Sequence, residues 1–292
     1  MKLFDPHIRM TSRTTSDYQA MADAGIAAII EPSFWLGQPR THVGTFEDYF
    51  LSLLGWERFR ASQFGISHFC TLSINPKEAN SPSIAQGVLE LLPRYLEKDG
   101  VVAVGEIGFD DQTDAEEHLF AEQLKLAMEF DLPVLIHTPH RDKKRGTERS
   151  LELVSKVGFP EHRVLIDHNN EETLPLVLET ACWTGHSIYP DTKMDELRMV
   201  ALIQAYGSDR IIINSAAGWG VSDPLKVPKT VAAMFEAGLD EQTIQTVVWD
   251  NPVAFFGQSE RLDLDRDPIN QSQLWEGNSV LRGQEPVVEP PN

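Results

Sequence analysis

Short β-branched runs recur along this chain, each separated from the next by a stretch long enough for one amphipathic helix, and no other feature constrains the fold as tightly. The runs fall at residues 3–9, 26–31, 68–74, 101–106, 133–137, 164–168, 183–189 and 210–214. Between them, apolar residues repeat with helical period, as in Phe46, Tyr49, Phe50 and Leu53 or Phe120, Leu124, Ala127 and Met128. Thr45 and Thr147 are predicted caps, and Asp223-Pro224 reads as an N-cap followed by proline. Eight strands each followed by a helix predict an α/β fold, a (β/α)₈ TIM barrel, over residues 1–257. Beyond Gly257 the period disappears and the chain turns polar, with Pro286, Pro290 and Pro291 near its end. Residues 258–292 are expected to form an irregular or disordered extension.

A chain of 292 residues can bury one core of this size. Its net charge of −19 disfavours nucleic acid and anionic membrane as partners and leaves a small molecule as the expected one. No run approaches the roughly 18 apolar residues of a membrane span. The opening Met1-Lys2-Leu3-Phe4-Asp5 meets an acid too early for a signal peptide. Cys70 and Cys182 are far apart in sequence and read as buried thiols of a cytoplasmic protein.

Polar residues that close apolar strands belong to the carboxyl rim of a barrel, where active sites are built. Four strands close on a metal-ligand type: His7, Glu106, His137 and His168. Alternation places Val102, Val104 and Glu106 on one face, Leu135 with His137, and Ile166 with His168. Three imidazoles and a carboxylate in phase suit a divalent ion such as Zn²⁺ or Mn²⁺. The rival reading of each, a lone polar residue at a loop entrance, weakens when four agree.

The segments Asp5-Pro6-His7-Ile8-Arg9, Gly105-Glu106-Ile107-Gly108-Phe109-Asp110, Leu135-Ile136-His137 and His168, with Asn251-Pro252-Val253-Ala254-Phe255-Phe256, resemble the TatD-type metal-dependent hydrolases of the amidohydrolase superfamily. Within that family the chain is most similar to the divergent proteins of bacterial Ebo clusters, which are associated with exporting secondary metabolites. The resemblance implies two metals: two histidines on strand one, a bridging Glu (here Glu106), histidines of strands five and six (here His137 and His168), and an Asp after strand eight. This chain departs twice. Arg9 stands where the second strand-one histidine would be, and Asn214-Ser215 where the acid would be. A guanidinium cannot ligate a cation, repels a second ion and pairs with a carboxylate such as Glu106.

One divalent ion (Zn, Mn or Mg) rather than two is therefore expected, held by Glu106, His137 and His168 with His7 as ligand or proton-transfer group. Arg9 would orient Glu106 or stabilise developing negative charge. Asp223 would replace the missing acid if its loop folded back over the rim, or simply cap its helix. The basic run His140, Arg141, Lys143, Lys144 and Arg145 follows strand five, where it would bind an anionic substrate or form a solvated loop. The loop 32–44, with Phe34 and Trp35, would be a lid or packing, and His186 a core or rim residue. The expected function is metal-dependent hydrolysis of a small metabolite. The alternatives are a hydrolysis-deficient barrel that serves as a binding or assembly component of a secondary-metabolite pathway, and a metal-free isomerase or lyase using His7, Arg9 and Glu106.

Overall fold

The computed structural model describes residues 1–189 and 192–265. Eight parallel strands run in chain order: β1 (Leu3–Asp5), β2 (Ile26–Pro32), β3 (Ser67–Leu72), β4 (Val101–Gly108), β5 (Val134–His137), β6 (Val164–Ile166), β7 (Trp183–Ser187) and β8 (Ile211–Asn214). Beyond the strand ends, Ala216 donates to the His7 carbonyl and Arg9 to the Ala217 carbonyl, each at 2.8 Å, and these bonds close the ring between β8 and β1. The predicted TIM barrel is the fold found.

The faces of the strands sort into two apolar layers. Phe4, Ile30, Phe69, Val102, Leu135, Leu165 and Ile212 fill the interior, one from each strand except β7. Val101, Val104, Ile107, Val134, Ile136 and Ile166 instead pack under helix residues such as Leu92, Tyr95, Phe120 and Leu124. Strands buried on both faces explain why the runs read as continuously apolar.

Two expected alternations fail. Val104 faces the helices and not the side of Glu106, because β4 shifts register against β3 at Cys70/Thr71 and against β5 between Gly105 and Ile107. On β6, Leu165 is the interior residue and Ile166 the outer one. His168 is therefore not carried inward by a regular strand. Its backbone adopts φ +63°, a left-handed turn that swings the ring back over the barrel mouth.

The helix Asn251–Gly257 closes the barrel's amino end. Asn251 Nδ2 donates to the carbonyls of Ser208 and Ile211, where β8 begins. Phe255 and Phe256 enter the interior cluster, Phe255 meeting Trp183 at 5.8 Å between centroids. Leu262 and Leu264 pack on the same cluster, so the first residues of the predicted extension lie against the barrel. The expected disorder of residues 266–292 concerns positions outside the described residues.

Local caps differ in places. His42, not Thr45, caps the helix Val43–Leu51, accepting from Gly44 N–H. The helix Lys143–Val157 begins four residues before Thr147, whose hydroxyl donates to the Lys143 carbonyl. Cys70 and Cys182 are buried free thiols. Among the described residues no helix is long and apolar enough to cross a membrane.

Candidate metal centre

Glu106 is fully buried at the carboxyl end of β4, and its two oxygens meet different chemistry. Oε2 receives Arg9 Nη2 at 2.5 Å. Around Oε1 stand three imidazole nitrogens: His168 Nε2 at 3.1 Å, His137 Nδ1 at 3.4 Å and His7 Nε2 at 3.6 Å. All four strand-end residues singled out from sequence therefore converge, and Arg9 pairs with the carboxylate. Gly105 and Gly108 let β4 come this close to β5: a Cβ would sit 2.6 Å from Leu135 Cβ at the first and 2.3 Å from the His137 carbonyl oxygen at the second. This gives the Gly-Glu-Ile-Gly stretch its physical reason.

Asp167, which strand-end reasoning passed over, completes the cluster. With His7, Glu106 and His168, though without His137, it offers ligand atoms that all lie within 4.8 Å of one another. Its Oδ2 lies 2.6 Å from His7 Nδ1, and Oδ1 accepts from His168 N–H at 2.7 Å and Asn214 Nδ2 at 3.0 Å. The signal was present in the sequence: counting inward from Leu165, not Ile166, aims Asp167 at the mouth. Its carboxylate orients His7, holding the proton on Nδ1 and the lone pair on Nε2, as carboxylates behind metal-binding histidines do. His168 is fixed likewise. Ser187 Oγ donates to Asn214 Oδ1 and lies 2.7 Å from His168 Nδ1, which leaves Nε2 facing Glu106.

These residues fit a cation. His7 Nε2 and both ring nitrogens of His137 are buried without a hydrogen-bond partner. Lone pairs aimed at a carboxylate oxygen repel it unless a proton or an ion lies between them. Zinc ligands at about 2.0–2.1 Å in tetrahedral array stand about 3.3 Å apart, and each of the three nitrogens lies 3.1–3.6 Å from Oε1. His137 and His168 are also biased toward the neutral form that ligation needs. Burial pushes His137 and His168 below the ordinary histidine value, and the Lys193 charge lowers both further. Burial alone would raise Glu106 and Asp167, but it is outweighed. The neighbouring His7 ring and the Arg9 guanidinium hold Glu106 well below the carboxylate range, and His168 with the His7 hydrogen bond does so for Asp167.

Asp5 is different. Burial lifts it to about 7 against hydrogen bonds from Ser215, and it ties β1 to the loop after β8 through Ser215 N–H at 3.1 Å.

Lys193, on the loop after β7, was also missed. Its Nζ lies 3.0 Å from His168 Nδ1 and 3.4 Å from Nε2, and burial pushes its ammonium down to about 7. No period or motif marks this position; only the fold brings it in.

The basic run is partly at the mouth. His140, Lys143, Lys144 and Arg145 line a cavity of about 800 Å³ with His168 and Lys193. Arg141 is exposed and outside that lining. Asp223 does not join the centre. It accepts from Leu225 N–H at 2.9 Å and pairs with Lys229, because its loop leads straight into the helix Lys226–Glu236 instead of folding back. His186 is buried beside Thr184 and outside the cluster.

An eight-stranded parallel barrel with a histidine–carboxylate cluster at its carboxyl rim defines a protein class built to hold a divalent cation there. The chain belongs to the TatD-related DNase family, whose sequence profile matches residues 7–257. An uncharacterised metal-dependent hydrolase of Methanocaldococcus jannaschii is 28% identical over 257 residues, 87% of this chain and 99% of the relative. The crystal structure of a TatD-like protein from Archaeoglobus fulgidus superposes with a TM-score of 0.73 at 29% identity, over 87% of this chain and 99% of that one. The phosphotriesterase homology protein of Escherichia coli shares the fold at 14% identity, with a TM-score of 0.63 over 87% and 98% of the two chains.

Proposed function

We propose that the chain is a divalent-metal-dependent hydrolase with one ion per chain, acting on a small anionic metabolite. The observation that carries this reading is the division of Glu106: Oε2 carries Arg9, while Oε1 faces three imidazole nitrogens, two of them without any hydrogen-bond partner. His7, Glu106, His137 and His168 would hold the ion, with Asp167 behind His7. A bound divalent ion polarises the scissile bond and lowers the pKa of water. Arg9 keeps a full positive charge against the same carboxylate, which disfavours a second ion and leaves a cation beside developing negative charge. Asp167 holds the His7 proton on Nδ1, and Lys193 brings a second cation against the His168 ring. The likeness of the sequence to the Ebo-cluster proteins is the ground for a place in a secondary-metabolite pathway, the chain's net charge is the ground for a small molecule over DNA, and the buried thiols Cys70 and Cys182 are the ground for a cytoplasmic setting.

A metal-free reading has its own support, since Arg9 and Lys193 both bring cations to a cluster that would otherwise take metal. Metal analysis of protein purified without chelator separates the two. About one ion per chain, lost in Glu106→Ala, is the expected result. Content far below one that neither Zn²⁺ nor Mn²⁺ restores would overturn the hydrolase reading and favour the acid–base or binding alternative.

A further inference from the structure

The mouth above the metal centre has two unlike halves that meet at His140, His168 and Lys193. One is the cationic cavity. Lys143, Lys144, Arg145 and Lys193 outnumber the carboxylates of Asp142, Glu148 and Glu172 that share its lining. The other is a cavity of about 620 Å³ walled by Phe34, Trp35, Tyr189 and Trp219.

The aromatic half is more than packing. Trp219 is 55% exposed, a cost to a folded surface that a stacked ligand would remove. It meets Trp35 edge-to-face at 5.5 Å, which leaves each ring at least one face that the other does not cover, and Lys77 lies 5.6 Å over the Trp35 ring. The wall also continues to the chemistry: the Arg9 guanidinium lies 4.4 Å over Phe34, and the Phe34 ring stands 5.4 Å from His137. On the other side Lys193 lies 5.6 Å over the Tyr189 ring, joining the two halves.

Resting on the hydrolase reading above, we infer that the substrate is bipartite, with a compact anionic group seated among Lys143, Lys144, Arg145 and Lys193 and a planar apolar group stacked on the exposed Trp219 ring beside Trp35. The bond to be broken lies between them, over Glu106 and His168. Four cations interleaved with three carboxylates suit a single anionic group and not a polyanion, whose further charges would meet Asp142, Glu148 and Glu172. The length of the mouth sets specificity: either half alone is a partial ligand, and the two joined gain because the second contact becomes intramolecular.

The test uses phosphonates, which the enzyme cannot hydrolyse, so a barrel that binds without cutting still gives a result. Calorimetric titration of the full chain, with equal Zn²⁺ in every arm, compares methylphosphonate, 1-naphthylmethylphosphonate and the neutral 1-naphthalenemethanol. The naphthyl phosphonate is expected to bind at least tenfold more tightly than either fragment. Trp219→Ala should remove most of that gain and leave methylphosphonate unchanged, and Trp219→Phe should restore much of it. Lys144→Ala should weaken both phosphonates. Equal affinities for the two phosphonates, or a Trp219→Ala variant that binds both as wild type does, would overturn the aromatic half. A neutral alcohol as tight as its phosphonate would overturn the cationic half. Metal content, read separately on the same samples, reports on the hydrolase reading alone.

Discussion

At the scale of single residues, the decisive fact is that one carboxylate serves two partners. A buried acid needs compensation for each oxygen, and Glu106 finds a guanidinium for one and an imidazole cage for the other. Asp167 makes that cage directional by fixing the His7 tautomer. Asp167→Asn keeps the shape but reverses the hydrogen-bond requirement on one side. It should weaken Zn²⁺ binding by about 10–100-fold, read by competition with a chromogenic chelator; unchanged affinity would show that Asp167 does not orient His7. Lys143 carries a pH prediction. Burial lowers its ammonium from 10.5 to about 8, while its Nζ stays 2.9 Å from Thr138 Oγ1. The folded protein thus loses this proton before the unfolded chain does. Its penalty on stability is complete below pH 8 and is relieved between pH 8 and 10.5. Anion binding runs the other way: methylphosphonate affinity should fall as pH rises through about 8. Lys143→Met should flatten that step, and an unaltered profile in the variant would rule Lys143 out as its source.

At the scale of elements, strand ends aim the ligands and their neighbours leave them room. β7 shows this best. Gly185 contributes no side chain to the centre, yet a Cβ there would lie 2.4 Å from Asp167 Oδ1 and 3.1 Å from its Cα. Gly185→Ala should therefore displace Asp167 and lower metal affinity by about as much as Asp167→Asn, within the 10–100-fold expected of an outer partner. Crystallography or a Zn²⁺ titration of the variant checks this, and wild-type affinity would mean that β6 and β7 yield more easily than their packing implies. The elements also show where the sequence was legible. The contrast between apolar strand and polar end is strong for His7, Glu106 and His137, and all three arrive where that contrast aims them. On β6 it is ambiguous by one residue, because Asp167 and His168 are adjacent polar residues after an apolar run. Alternation selects Asp167, whereas a left-handed turn delivers His168 as well.

At the scale of the whole molecule, charge is distributed against its average. A net −19 surrounds a mouth where Arg9, Lys143, Lys144, Arg145 and Lys193 gather. Such a field draws a small anion to the mouth at short range and repels a polyanion whose charges extend past it. A 20-base-pair duplex should show no retardation at 150 mM salt with the chain at 10 µM, although non-specific DNA binders typically reach about 10⁻⁴–10⁻⁶ M. A clear shift, and its loss with added salt, would return DNA to the candidates. The family's name in itself does not decide this, since the substrate is set by the rim and not by the barrel.

The sequence by itself determined the barrel, because eight repeats of one pattern reinforce each other even where single boundaries slip by one to four residues. It also pointed to His7, Glu106, His137 and the partner of Arg9, because strand-end position is a local property, whereas His168 arrives through a left-handed turn. Only the tertiary structure decided that Lys193 comes to His168, that Asp223 stays with its helix, and that Trp219 faces Trp35. Each of these depends on how a loop or a register shift places one side chain against another far away in the chain. Such contacts leave no period in the sequence, since they arise from packing between elements and not from the pattern within one.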